Sequence, residues 1–89
     1  MPTMIVRHRV KDFDAWRSIY EEHGAARRQY GITDVSLHRD VEDPNDVVIV
    51  FRVDDLGRAQ EFAATEDLRE TMERAGVVSQ PTVWFLQDT

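Results

Sequence analysis

Eighty-nine residues, 42% of them apolar and none of them cysteine, suffice for one small domain and exclude a disulfide framework, a thiol nucleophile and a thiolate metal site. A formal charge of −6, from 17 acidic and 11 basic residues, argues against nucleic acid as a partner. No apolar run approaches the roughly 18 residues of a membrane span, and the opening MPTMIVRHRV lacks an apolar signal core, so a cytoplasmic protein without a membrane partner is expected.

Met4 to Val10 alternates, with Met4, Val6, His8 and Val10 on one side and Ile5, Arg7 and Arg9 on the other, which predicts a strand. Asp12 or Asp14 then offers an N-cap. A single helix is expected from Phe13 to Tyr30, because Phe13, Trp16, Ile19, Tyr20, His23 and Arg27 recur at spacings of three and four. Gly24 sits inside it, where glycine costs about 1 kcal/mol against alanine; close approach of a neighbour or plain tolerance would explain it. Gly31 suits the residue after the helix.

Thr33 to Val41 reads as a second strand, with Val35, Leu37 and Arg39 on one side and Ser36, His38 and Asp40 on the other. The segment 42–46 has turn composition and makes a hairpin with a third strand, Val47 to Val53, apolar on both faces apart from Arg52. Asp54-Asp55 opens a helix with Leu56, Ala59, Phe62 and Ala63 inward, and Thr65 caps a fresh short helix carrying Leu68, Met72 and Ala75. Gly76 ends that helix, Pro81 bends the chain, and Thr82 to Leu86 forms the last strand, with Val83 and Phe85 opposite Thr82, Trp84 and Leu86.

The order β-α-β-β-α-β predicts a ferredoxin-like α+β domain spanning 1–89, with an antiparallel sheet and helices on one face. The first, third and last strands carry large apolar groups on both faces, so the uncovered face needs a second subunit. A domain of this size buries only about 60 to 65% of its unfolded surface, which favours the same homodimer.

With these elements placed, the stretches HRVKDFDAWRSIYEEHGAARRQYGI, DVEDPNDVVIVFRVDD and FAATEDLRETMERAGV, together with Trp84 and Phe85 in the final strand, resemble the antibiotic-biosynthesis-monooxygenase-like family of dimeric α+β barrels over essentially the whole chain. The resemblance implies a dimer whose two sheets close into a barrel, with a ligand cavity in each subunit between sheet and helices. It further implies a hydrophobic aromatic or polyketide-like ligand and candidate activity as a cofactor-independent monooxygenase or cyclase. In the cofactor-free oxygenases of the family an Asn and a Trp are associated with the pocket. Trp16 and Trp84 are available here, whereas the sole Asn, Asn45, falls in the turn after Pro44.

Two histidines are the expected catalytic groups. His23 shares the helix face of Trp16 and Tyr20, and a neutral imidazole there could remove a proton from a phenol or an enolisable carbon. His8 shares a strand face with Val6 and Val10, within reach of Arg52 or Trp84 on a neighbouring strand; His38 is the weakest of the three. The bland alternative makes each a packed or rim histidine. Trp16, Tyr20, Phe62, Met72 and Trp84 are the large groups expected to bind a flat ligand, with Arg27 and Arg52 holding a carboxylate or enolate oxygen. The histidines lie far apart in the chain without metal-ligand spacing, and no glycine-rich phosphate loop is present, so neither a metal nor a cofactor is expected. The competing reading is a non-catalytic binding or structural dimer.

Overall fold

A computed structural model describes residues 2–89. The chain runs β1 (Thr3–Arg9), α1 (Phe13–Glu22), α2 (Gly24–Gln29), β2 (Ile32–Arg39), β3 (Asp46–Val53), α3 (Leu56–Ala63), α4 (Glu66–Arg74) and β4 (Thr82–Leu86). The four strands form one antiparallel sheet in the order β2-β3-β1-β4, the ferredoxin-like arrangement expected from the element order.

Cross-strand register assigns the two faces of this sheet. Met4 lies opposite both Phe51 and Phe85, and Val6 opposite Ile49 and Val83, so these residues share the face that the helices cover. Ile5 lies opposite Val50 and Trp84, which belong to the other face. The core forms on the covered side: Met4, Ile49, Phe51 and Val53 of the sheet are buried with Phe13 and Trp16 of α1 and Ala59 and Phe62 of α3.

The helix starts follow local capping chemistry. Asp12, Asp55 and Thr65 accept hydrogen bonds from the backbone N–H groups of Ala15, Arg58 and Leu68, satisfying donors that have no partner within the first turn. Gly31 follows α2 with a φ of 73°, a left-handed conformation that disfavours a Cβ.

Two expectations need correction. The helix from Phe13 to Tyr30 is interrupted: His23 has a ψ of 2°, far from the helical value of about −42°, and the ladder resumes only at Arg27, whose N–H reaches the His23 carbonyl. A Cβ at Gly24 would stand 3.1 Å from Arg28 Nη1 and 3.5 Å from Arg27 Nη2, so the missing side chain leaves room for two guanidinium groups. In β2, the register shifts between Asp34 and Ser36, leaving Val35 as the unpaired residue of a β-bulge, 54% exposed, so it does not share one regular side with Leu37 and Arg39 as the alternation predicts. Asp34, just before the bulge and opposite Phe51, keeps the inward phase of Ile32, and Leu37 beyond it faces inward too, opposite Ile49.

A candidate ligand pocket with a buried histidine

The helices do not close fully onto the sheet. A cavity of about 340 Å³ remains, floored by Met4, Val6, Ile49, Phe51 and Val83, walled by Trp16, Tyr20 and His23 from α1 and its exit, and roofed by Phe62, Leu68 and Met72 from α3 and α4. Its volume lies in the range of small-molecule sites and its walls are mainly apolar. The segment after α4 completes it. Val77 bridges Val10, Val78 N–H donates to the Arg9 carbonyl, and Ser79 Oγ accepts from Arg9 N–H, so Gln80 and Pro81 lie at the pocket's edge.

Trp16 and Tyr20 stack, with ring centroids 4.8 Å apart, and present a flat surface. Phe62 stacks on His23 at 5.7 Å and tilts against Tyr30 at 5.1 Å. Besides Thr71 and Gln80, four polar side chains interrupt this apolar wall in different ways. His8 is only 5% exposed, meets Trp16 edge-on at 5.6 Å, and has no hydrogen-bond partner on either ring nitrogen among the described residues. Burial pushes its pKa down, against a smaller opposing pull from Asp46, so the ring is neutral at physiological pH. His23 sits at the rim, with Nε2 2.8 Å from Asp67 Oδ2 of α4.

Arg27 is buried, and its Nε and Nη2 donate to the two carboxylate oxygens of Asp34 at 3.1 Å each. Its Nη1 donates to the Tyr20 carbonyl at 2.9 Å, and the guanidinium lies 3.8 Å from the Tyr20 ring centroid. Tyr20 itself is held protonated: burial raises its pKa, the Arg27 charge opposes this, and the Asp34 carboxylate adds to the rise.

Of the nine residues expected to carry function, seven converge here: His8, Trp16, Tyr20, His23, Arg27, Phe62 and Met72 all line the cavity. Arg52 and Trp84 do not. Arg52 pairs with Thr3 and Thr33 and is exposed; Trp84 pairs with Ile5 and is 43% exposed. Strand alternation puts both on the open face, one position out of phase with Phe51, Val83 and Phe85. His8 accordingly neighbours Val47 and Trp16 and neither Arg52 nor Trp84. His38 is also on the open face, bonded to Ser36 Oγ. Asp34 has no sign in the sequence: alternation carried back from Ser36 and His38 points it to the open face, and no glycine or proline marks the register shift that leaves it in phase with Ile32 instead.

A second cleft, polar and about 290 Å³ in volume, shares His8 and Gln80 with the pocket and is otherwise bordered by Arg7, Arg9, Asp46, Ser79 and Thr82. Arg7 binds Asp46 in a bidentate pair at 3.1 and 2.6 Å, which holds the Asp46 carboxyl below the usual carboxylate range. Among the described residues, no group of three or more His, Cys, Asp or Glu is placed to hold a metal ion, and no helix is long and apolar enough to cross a membrane.

No protein-family model matches this sequence, and no curated protein matches it. Solved structures match it in shape. A crystal structure described as an antibiotic biosynthesis monooxygenase superposes with a TM-score of 0.71 at 21% identity, covering 100% of this chain and 99% of its own. The chain has the antibiotic-biosynthesis-monooxygenase fold. SnoaB, described as a cofactor-independent oxygenase from Streptomyces nogalater, matches with a TM-score of 0.71 at 20% identity, over 99% of this chain and 94% of that one. A conserved protein from Methanosarcina mazei matches at 0.74 and 10% identity, over 99% and 92%. At such identities the fold is shared while chemistry rests on the residues each chain places on it. In this chain Asn45 lies outside the pocket, its Oδ1 accepting the Phe13 N–H at the entrance to α1.

Proposed function

We propose that the chain is a single-domain homodimer that binds a flat, hydrophobic aromatic or polyketide-like molecule in the pocket beneath α1, α3 and α4, and that His8 acts on it as a general base. The observation that carries this reading is a neutral imidazole, buried and unpartnered on both nitrogens among the described residues, at the edge of a mainly apolar cavity. An unpaired buried polar group costs about 1 to 3 kcal/mol, a cost that a bound hydroxyl or enol would remove. His8 would take the proton of a phenol or of an acidified carbon, and the polar cleft beside Asp46 offers the proton a way to solvent. The resulting anion could pass an electron to O₂, as a cofactor-independent monooxygenase requires, or attack an internal carbonyl, as a cyclase requires. His23, engaged by Asp67, would hold the rim.

The dimer is supported by the open sheet face, where Ile5, Val48 and Val50 lie beside Trp84 and Leu86, each of the last two 43% exposed. A non-catalytic binding dimer is the second reading, favoured by the position of Asn45 outside the pocket. Oxygen uptake and product formation with hydroxyanthrone-like substrates separate the two. Activity that falls by about a hundredfold or more in His8→Ala, and less in His23→Ala, is the expected result. Activity indifferent to His8→Ala removes the base, and absence of turnover with retained binding selects the non-catalytic reading.

A further inference from the structure

The charge preference of the pocket follows from one ion pair, and this inference rests on the ligand-binding reading above. Among the described residues, Arg27 is the only one lining the cavity with a permanent charge. That charge is already cancelled: two of its nitrogens grip Asp34, a third bonds the Tyr20 carbonyl, and the Tyr20 ring covers its face. Asp34 reaches it from β2, opposite Phe51 and in the same inward phase as Ile32 two residues earlier; the register shift at Val35 follows it and lets Leu37 face inward as well, opposite Ile49. The remaining polar groups offer no free cation, since His8 is neutral and His23 is already bonded to Asp67.

A carboxylate entering this cavity would shed its hydration and meet no uncompensated positive charge. An uncharged hydroxyl loses less hydration and finds an unpartnered imidazole. We propose that the Asp34–Arg27 pair makes the pocket selective for uncharged, hydroxyl-bearing flat ligands and against their carboxylate counterparts. Asp34 is therefore a specificity-determining residue: it silences an arginine that would otherwise recruit anions.

Calorimetric titration of the full chain with 2-naphthol and 2-naphthoate at neutral pH tests this, because the two probes match in shape and differ in charge. The wild type should bind naphthol more tightly by about tenfold or more. Asp34→Asn should shift the ratio of dissociation constants toward naphthoate by a similar factor. Naphthoate binding as tightly as naphthol in the wild type, or an unchanged ratio in a folded Asp34→Asn protein, overturns the proposal. The Arg27→Gln/Asp34→Asn double variant keeps the wall neutral without a lone buried cation, and should retain the wild-type preference even if the single variant fails to fold. A preference in the double variant that moves further against naphthoate shows that Arg27 had been attracting anions, and also overturns it. If neither probe binds the wild type, the ligand-binding reading itself falls and this inference with it. If both bind and only the ratio is wrong, the binding reading survives alone.

Discussion

The two faces of the sheet are built from the same strands and differ in what lies over them. On the covered face, Met4, Ile49 and Phe51 are each at most 7% exposed, held beneath Phe13, Trp16 and Phe62. On the open face, Trp84 and Leu86 of β4 remain 43% exposed, beside the half-buried Ile5 and Val50. Residue type does not separate these faces, since each carries aliphatic and aromatic groups. The helices do. A large group directly beneath the helices contributes to folding within one chain, whereas edge strand β4 keeps Val83 and Phe85 40% and 36% exposed even on the covered side, and a large group on the open face contributes only when something else covers it.

Substitutions on each face break this comparison in different measurements. The largest effect belongs to Phe51→Ala, which removes a ring from the packed floor of the pocket. It should cost about 3 to 5 kcal/mol in denaturant unfolding. A loss below about 1 kcal/mol would mean the covered face is not the principal core. Next comes Trp84→Asp on the open face. It should leave the fold intact by circular dichroism yet weaken self-association by about a hundredfold or more, near 2.7 kcal/mol. Sedimentation equilibrium of wild type and variant measures this. A wild-type chain that is monomeric at tens of micromolar, or a variant that dimerises as well as the wild type, would leave the open face without a partner of its own kind.

Much of this division is legible in the sequence. Alternation in 4–10 and 47–53, the capping residues Asp12 and Thr65, and Gly31 together specify strands, helix starts and topology, because each depends on local chemistry. Pocket membership was legible where it follows a helix stripe, as for Trp16, Tyr20, His23 and Arg27. It was not legible where it depends on which strand face meets the helices. Alternation sorts Trp84 from Phe85 but does not say which points inward, and both Trp84 and Arg52 were placed in the pocket on their chemistry alone. The Asp34–Arg27 pair joins the two beside a bulge whose only local sign is an exposed Val35. The break at His23 is equally quiet, since His23-Gly24 reads as ordinary helix until Arg27 and Arg28 fold back over the glycine.

The smallest of these effects concerns His8, and it sharpens the comparison within the covered face. Phe51 and His8 are comparably buried there and both border the cavity, yet one is wholly apolar and the other has two ring nitrogens without partners among the described residues. Replacing His8 by leucine removes the unpaired polar atoms at similar volume. It should therefore stabilise the empty protein by about 1 to 2 kcal/mol at neutral pH. For a domain of this length, that corresponds to a rise in Tm of several degrees. The pH dependence gives an independent reading. Burial lowers the folded pKa of His8, so below about pH 6.5 the unfolded chain takes up a proton that the folded ring refuses. Wild-type stability should fall as the pH drops from neutrality through that value, and continue to fall until the folded ring also protonates. Asp46, whose pKa is also lowered, contributes stability that is lost in a more acidic window, below about pH 4. The two losses are thus separable, and His8→Leu should abolish the first while leaving the second. Thermal melts across neutral to mildly acidic pH decide it: a variant with the same acid slope as the wild type would show that His8 already has a proton partner when folded, and so is not the open base that the proposed catalysis requires.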